Sequence, residues 1–259
     1  MQPIKIAFIG AGNVAWHLAP ALQAKGAQVV EVVNRSPEKA LSLVEKLSSA
    51  KVKADLDFRN SEADWVFITA PDAQIEPLAS QIQLAPRQVL LHTSGSQPLG
   101  ILQNAHLQSG VFYPLQTFSK EKCIDFRKVH FYIEGSNTPV ERKLLSLARK
   151  LSPLVSTATS QQRLGLHMAA VFACNFPNHL LLMAQSVMEQ YELDFTALKP
   201  LVEEMVEKAF ALGPEKAQTG PAIRKDTNTI QRHEALLESS AMQSVYQLLS
   251  QSIQKKGKD

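Results

Sequence analysis

The chain has 259 residues, of which 45% are hydrophobic and 20% are charged, and its formal net charge is +3 at pH 7. This composition is typical of a globular protein with one large or two modest domains. Basic residues form no stripe with interleaved aromatic residues, so we expect no nucleic-acid partner. The two cysteines, Cys123 and Cys174, lie far apart without metal-ligand spacing, which predicts neither a disulfide framework nor a metal site.

A glycine-rich motif follows the first predicted strand. Apolar residues over 4–9 indicate a buried strand, and a helix is predicted from Val14 to about Lys25. Between them, Gly10 permits a tight turn and Gly12 lets a pyrophosphate approach the backbone, in the pattern G-x-G-x-x-A. The free N–H groups at the start of the helix favour an anion. The motif therefore predicts a dinucleotide site that includes Gly10, Ala11, Gly12, Asn13 and Val14.

The end of the second predicted strand, 28–33, indicates which dinucleotide is bound. An NAD-specific site has a carboxylate at this place, whereas Glu31 falls inside the strand. An arginine pairs readily with phosphate, which favours NADP(H). Alternatively, the serine at the tip caps the helix that begins at Pro37 and the arginine is solvated; the two roles are compatible. The predicted cofactor contacts at the tip are Asn34, Arg35 and Ser36.

Strands and helices continue to alternate through residue 151. Strands are predicted at 51–54, 64–69, 88–92, 110–113 and 129–133, and helices at 37–49, 72–83, 98–104 and 138–151. This alternation is typical of an α/β fold with a doubly wound, mostly parallel sheet. Ligands of such sheets bind at the carboxyl ends of the strands. The predicted cofactor site therefore also includes Ala70, Pro71, Asp72 and Thr93.

The pattern changes near residue 157, and only helical periodicity follows. We predict an NADP-binding Rossmann domain over 1–157 and an all-helical substrate and dimerisation domain over 158–259. A helix predicted within 164–188 is apolar on more than one face. Because a domain of about 100 residues offers such a helix limited cover, we expect a homodimer through the helical domain.

The predicted location is the cytoplasm. The first strand begins by residue 4, which leaves no room for a signal peptide. The most apolar stretch is interrupted by polar residues and a proline that a bilayer would not tolerate cheaply, so we expect no membrane partner. These interruptions are Asn175, Pro177, Asn178 and His179.

Several blocks of the sequence resemble one family, the Rossmann-like NADP oxidoreductases with a helical C-terminal domain of unknown function. The blocks are 10–15, 70–72, 92–96, 112–118, 167–175 and 219–221, together with Arg224, Asp226 and His233. The chain is more distantly similar to β-hydroxyacid dehydrogenases, pyrroline-5-carboxylate reductases and ketopantoate reductases. The resemblance implies NADP(H) binding and a helical dimerisation domain, and it brings no known substrate. Where this chain has Tyr113, the family usually has a histidine, which weakens an acid/base role at that position.

The first helix of the second predicted domain carries candidate catalytic residues. β-Hydroxyacid dehydrogenases present a lysine here and an asparagine one turn later; Asn175 matches the asparagine, but Val171 occupies the lysine position. A simple hydroxyacid dehydrogenase is therefore not expected. His167 lies about 80° from Asn175 around an ideal helix, and Asn178 lies about 20° from His167. Histidine suits proton transfer near neutral pH, although these residues could instead pack internally or face a partner subunit.

Two further polar segments have both a functional and a structural interpretation. Gly220-Pro221 predicts a helix start, beside which Arg224 would bind a carboxylate or phosphate of the substrate; the alternative is a turn held by an Arg224–Asp226 pair. A second segment follows the strand predicted to pass under the nicotinamide. Its hydroxyls would bond the nicotinamide amide or the substrate, or cap the helix near Pro98. They belong to Thr93, Ser94 and Ser96.

These patterns together predict an NADP(H)-dependent oxidoreductase that acts on a small, anionic metabolite by hydride transfer to a carbonyl or imine. His167 would donate the proton, Asn175 would orient the reacting group and Arg224 would hold the anion, with Ser94 near the nicotinamide. The alternative is a non-catalytic NADP(H)-binding redox sensor or regulatory interaction protein, which the missing lysine leaves open.

Overall fold

The computed structural model describes residues 3–103, 106 and 108–256, and the chain divides into two compact units, Met1–Ala170 and Val171–Asp259. One sheet lies in the first unit, and its strand order is β3-β2-β1-β4-β5-β6-β7-β8. Neighbouring strands are parallel except β6 and β7. The strands are β1 (Lys5–Ile9), β2 (Gln28–Val33), β3 (Lys51–Val52), β4 (Trp65–Ile68), β5 (Val89–His92), β6 (Ser109–Leu115), β7 (His130–Gly135) and β8 (Val155–Thr157).

Helices of the first unit alternate with the strands, which confirms the predicted doubly wound Rossmann architecture. They are α1 (Asn13–Ala24), α2 (Pro37–Val44), α3 (Asp72–Gln81), α4 (Gly100–Gln103), α5 (Thr138–Leu151) and α6 (Ser160–Ala170). Sequence reasoning missed β8, whose three residues carry too short a pattern to show alternation. It also missed that β7 runs antiparallel to β6. A parallel connection usually crosses over through an α-helix, whereas residues 116–129 between these strands hold a short 3₁₀ turn, Phe126–Lys128, and no α-helix.

Both faces of the sheet are covered. Along β1, Ile6 and Phe8 pack in a cluster with residues of α1 and α5, whereas Ala7 and Ile9 pack in a second cluster with residues of α3. This alternation follows from the period of two along a strand. Burial of each large apolar side chain stabilises the unit by roughly 1.5–3 kcal/mol. The sheet is therefore a rigid frame that holds the loops at its carboxyl edge.

The second unit is helical. After a π-helical turn, Val171–Asn175, it contains α7 (Phe176–Gln190), α8 (Lys199–Leu212), α9 (Pro214–Ala217), α10 (Thr227–Leu236) and α11 (Ser240–Lys256). The division lies one helix later than the predicted boundary after residue 157, because α6 belongs with the sheet. Arg163 of α6 is buried there and pairs with Glu134 of β7.

The predicted helix start at Pro221 is wrong. Residues 221–225 form turns, and α10 begins only at Thr227. Asp226 provides the better N-cap, because its carboxylate accepts the Thr229 N–H at 3.0 Å and the Thr229 hydroxyl at 2.7 Å.

One helical segment, Ser160–Gln190, is long and apolar enough to cross a membrane by length and composition; it runs through α6, the π-helical turn and α7. A single helix of this kind is weak evidence for a membrane protein. The segment includes the buried Arg163, which is paired within the sheet unit.

Candidate functional site

The turn between β1 and α1 has the geometry that its glycine motif predicts. Gly10 adopts a φ of +106°, and a Cβ there would lie 2.8 Å from the carbonyl carbon and oxygen of Thr69. The Thr69 hydroxyl, at the end of β4, donates to the Gly10 carbonyl at 2.8 Å. Asn34 Oδ1, at the end of β2, accepts the Ala11 N–H at 3.1 Å. Only glycine fits at position 10, and the turn is fixed to the strands on both sides.

Helix α1 begins without a capping side chain. The N-cap residue is Gly12, which has no side chain that could accept a hydrogen bond from the first turn. The first turn also contains no acidic residue. The free N–H groups of this turn are therefore available to an anion such as a pyrophosphate. The Asn13 amide donates to the Phe118 carbonyl at 2.9 Å, so its side chain anchors the segment after β6. Val14 is half-buried. This arrangement fits a bound dinucleotide.

The carboxylate of β2 is committed within the protein. Glu31 is 6% exposed, accepts the Ser61 hydroxyl at 2.5 Å and pairs with Lys51 at 3.6 Å. It is therefore not available to the ribose hydroxyls that an NAD-specific carboxylate would bind.

Arg35 and Ser36 lie at the tip of β2. Arg35 is exposed, and none of the hydrogen bonds or ion pairs within the described ranges involves it. Ser36 is the N-cap residue of α2, with Pro37 in the first turn, but its hydroxyl donates to Glu38 at 2.7 Å instead of accepting a backbone N–H. The capping interpretation of Ser36 is thus correct in position only. Among the described residues, the Arg35 guanidinium at this tip has no ion-pair partner.

The loops after β4 and β5 are joined by side chains. Asp72 Oδ2 accepts the Ser96 hydroxyl at 2.5 Å, and the Ser94 hydroxyl oxygen accepts the N–H groups of Ser96 and Gln97, each at 3.1 Å. Ser94 is 6% exposed, and its hydroxyl oxygen stabilises the turn that it begins. This role resembles the alternative in which these hydroxyls cap the helix near Pro98. Of the other predicted cofactor contacts here, Ala70 and Thr93 are half-buried and Pro71 is exposed.

His92 ends β5 directly before this turn, and sequence reasoning gave it no role. Its Nδ1 accepts the Ser94 N–H at 3.1 Å, which places the imidazole proton on Nε2. Burial, with the Arg163 charge as a smaller cause, lowers the pKa of His92 to about 3. His92 is therefore a neutral support for the Ser94 turn at physiological pH.

Tyr113 and His167 lie together beside Gly95. The Tyr113 hydroxyl is 3.5 Å from His167 Nδ1, and the two ring centroids are 6.4 Å apart. A Cβ at Gly95 would lie 2.8 Å from the Tyr113 oxygen and 2.9 Å from His167 Nδ1, so only glycine permits this approach. Burial first, and then the Asp72 charge, raises the pKa of Tyr113, which keeps the phenol protonated.

The family's usual histidine is absent at position 113, but the phenol of Tyr113 lies next to the histidine of α6. The weakened acid/base role expected at this position stays a prediction. The two residues are 54 positions apart, and sequence spacing alone gave no signal of their contact.

Two predicted catalytic residues belong to the helical unit. Asn175 is exposed at the end of the π-helical turn, which precedes Pro177. Proline lacks the N–H that an α-helical bond requires, which accounts for the wider turn. The predicted 80° between His167 and Asn175 therefore does not hold, because it assumed an ideal helix. Ser94 and His167 lie in one unit and Asn175 in the other, so their common cleft stays a prediction.

Arg224 is exposed in the turn before α10. The alternative of an Arg224–Asp226 pair is wrong, because the Asp226 oxygens bond Thr229 and no such pair occurs among the ion pairs of the described residues. Its predicted role in holding an anion stays a prediction.

Two family models match the sequence. Residues 5–94 match "NADP oxidoreductase coenzyme F420-dependent", and residues 129–253 match "Domain of unknown function (DUF2520)". No curated protein matches significantly.

Solved structures similar to this chain extend over nearly its whole length. The "putative NADP oxidoreductase BF3122" from Bacteroides fragilis is 39% identical, with a TM-score of 0.90, over 98% of this chain and 99% of that one. A reductive aminase from Aspergillus terreus in complex with NADPH and ethyl-5-oxohexanoate has 15% identity and a TM-score of 0.73, over 98% and 95%. An imine reductase from Pseudomonas sp. has 16% identity and a TM-score of 0.71, also over 98% and 95%.

The similarity to the two enzymes at 15% and 16% identity establishes the fold alone. The similarity to the B. fragilis protein, at 39% identity, establishes the family. The predicted cofactor is confirmed as NADP(H). The chain belongs to a family of NADP-dependent oxidoreductases in which a Rossmann-like NADP oxidoreductase domain precedes a DUF2520 helical domain.

Proposed function

We propose that this oxidoreductase reduces a carbonyl or imine group of a small anionic metabolite. The observation that carries the proposal is the Tyr113–His167 pair beside Gly95. Gly95 follows β5, and Tyr113 lies in β6 two positions beyond Val111, which pairs with the last residue of β5. The pair is therefore near the carboxyl ends of these strands, where ligands of parallel sheets bind. Reduction of a carbonyl or imine needs a proton donor as the hydride arrives, and two adjacent groups that carry exchangeable protons supply one.

The residues that would hold the cofactor follow from the first unit. The turn at Gly10 and the free N–H groups at the start of α1 would hold the pyrophosphate, and Arg35 would pair with the 2′-phosphate of NADPH. When bound, NADPH supplies the hydride.

The protein's own residues would supply the proton. His167 would donate it to the reduced group, and the Tyr113 hydroxyl, 3.5 Å from Nδ1, would orient the ring and hydrogen-bond to it. The raised pKa of Tyr113 keeps the phenol in the form that can donate. Asn175 would orient the reacting group, and the exposed Arg224 would hold the substrate's anion.

The names of two structural neighbours favour an imine as one substrate class. The A. terreus protein is a reductive aminase and the Pseudomonas protein is an imine reductase. Because each is less than 20% identical to this chain, they suggest which compounds to try first and identify no substrate.

The test is a screen of NADPH oxidation, followed at 340 nm, against keto acids, cyclic imino acids, and ketones with and without added amines. We expect turnover with an anionic carbonyl or imine, and loss of turnover in His167→Asn. Tight NADPH binding without turnover of any compound would contradict the proposal and favour a redox sensor.

We also propose that the protein is a cytoplasmic homodimer that associates through its helical unit. The support is the exposure of large apolar side chains on that unit, among them Phe172, Leu201, Met205 and Phe210. Exposed apolar area of this extent marks an interaction surface, and a second copy is the simplest partner for it.

A further inference from the structure

Arg163 is a charged residue in the interior of the sheet unit. It is 1% exposed, and each guanidinium nitrogen has a partner. Nη1 donates to Glu134 Oε2 at 2.5 Å, Nε to the Ser94 carbonyl at 3.1 Å and Nη2 to the Gln97 carbonyl at 2.5 Å. A buried charge is tolerated only when it is paired and hydrogen-bonded, and these contacts meet that requirement.

These contacts join the elements that carry the Tyr113–His167 pair. Ser94 and Gln97 bracket the turn that contains Gly95, and Glu134 also accepts the N–H and hydroxyl of Ser160, the first residue of α6. Arg163 precedes His167 by four residues, so both project from one face of α6. One guanidinium thus fixes the turn against the helix that carries the proposed proton donor.

We infer that Arg163 is a positioning residue: by holding the Ser94 and Gln97 carbonyls, it keeps Gly95 where Tyr113 and His167 can meet. The consequence for catalysis rests on the proposed function, whereas the effect on the Tyr113–His167 contact does not.

The backbone at Gly95 packs directly against both rings. A Cβ there would lie 2.6 Å from Tyr113 Cζ and 2.9 Å from His167 Nδ1, so the turn that Arg163 holds is in contact with the phenol and the imidazole. The Arg163 charge also opposes the rise in the pKa of Tyr113, so the guanidinium acts on the phenol electrostatically as well.

Two conservative variants separate the carbonyl contacts from the ion pair. Arg163→Lys keeps a positive charge for Glu134 but lacks the planar fork that reaches two carbonyls at once. Glu134→Gln removes the negative charge but leaves a side-chain oxygen that can accept from Arg163. Arg149→Ala, on the exposed face of α5, is the control.

The experiment measures the change in the His167 imidazole ¹⁵N chemical shift that Tyr113→Phe causes in the full chain, with and without NADPH. We expect a clear change in the wild-type, Glu134→Gln and Arg149→Ala backgrounds, and none in Arg163→Lys. An undiminished change in Arg163→Lys, even with a lowered melting temperature, would overturn the inference. If Arg163→Lys does not fold, loss of the change in Glu134→Gln overturns it, because that variant keeps both carbonyl contacts.

Kinetics then test the catalytic consequence. With a substrate from the screen, Arg163→Lys should lower kcat by about 10²-fold, as expected for a misplaced reacting group, while the Kd for NADPH stays within about twofold. An unchanged kcat overturns the catalytic part. Loss of the ¹⁵N response in a protein that turns over no compound would contradict the proposed function and leave the positional inference standing.

Discussion

The two units of this protein bury their apolar side chains to very different extents. In the sheet unit, both faces of the sheet are closed by helices, and residues such as Phe8, Phe67 and Phe112 are fully buried. In the helical unit, the buried apolar residues within the described ranges are Ala222 and Ile230, whereas Phe210 is 90% exposed. The sheet unit buries its apolar side chains within itself, whereas the helical unit leaves large apolar side chains exposed to solvent.

This difference assigns a different task to each unit. A well-packed core holds loops at fixed positions, so the sheet unit is suited to bind a cofactor and to maintain the Tyr113–His167 contact. An apolar surface is suited to association.

The largest effect is expected at the apolar surface of α8. Leu201 and Met205, which are 66% and 54% exposed, lie one turn apart on one face. The double change Leu201→Glu and Met205→Glu should convert a dimer into a monomer at micromolar concentration, measured by light scattering. Leu41→Glu, at a 52% exposed position of the sheet unit, is the control and should remain dimeric. A monomeric wild type would refute the proposed interface.

The next effect is on turnover in the sheet unit. His167→Asn should lower kcat by about 10²–10⁴-fold, because it removes the proposed general acid, and should leave the Kd for NADPH unchanged. His179→Asn, at an exposed position on α7, should retain full activity. Equal rates for wild type and His167→Asn would exclude this histidine as the donor.

Cofactor choice should depend on Arg35. Its replacement by alanine removes a charge-assisted phosphate contact worth about 1.5–3 kcal/mol, so the Kd for NADPH should rise roughly ten- to 150-fold. The Kd for NADH should not change. Calorimetry of both cofactors, with Arg149→Ala as the matched arginine control, checks this. Equal affinities for the two cofactors in the wild type would contradict the assignment.

The smallest effect is on the pH dependence of stability. Unfolded His92 binds a proton near pH 6.5, but in the folded protein its pKa is about 3. The unfolded state therefore binds more protons between these values, and stability falls as the pH drops below 6.5. The loss should reach about 2 kcal/mol at pH 5. In His92→Asn, whose amide oxygen can still accept the Ser94 N–H, urea unfolding from pH 7 to 5 should lack this contribution; an identical pH dependence would disprove it.

Local patterns in the sequence predicted most of the sheet unit. The turn at Gly10 and helix α5 were predicted because glycine geometry and helical periodicity are encoded by adjacent residues. β7 was predicted as a strand, but its direction was not, since direction depends on the connection as a whole.

The candidate site was predicted less completely, because its decisive contacts join distant residues. Tyr113 and His167 are 54 positions apart, and Arg163 is 29 positions from Glu134. Arg163 lies among polar residues in the sequence. Nothing in that pattern indicates that its side chain is buried or which backbone carbonyls it contacts. Asn175 was predicted from an ideal helix, and Pro177 with the π-helical turn altered that geometry.

Hydride transfer to a carbonyl or imine carbon can be followed by isotopic labelling of the cofactor. The protein is incubated with NADPH that carries deuterium at both C4 positions and with the active compounds from the screen, and the products are analysed by mass spectrometry. One deuterium bound to the former carbonyl or imine carbon is the predicted result, with much slower formation in His167→Asn. Oxidation of the cofactor with no deuterium in any product would contradict hydride transfer to the substrate.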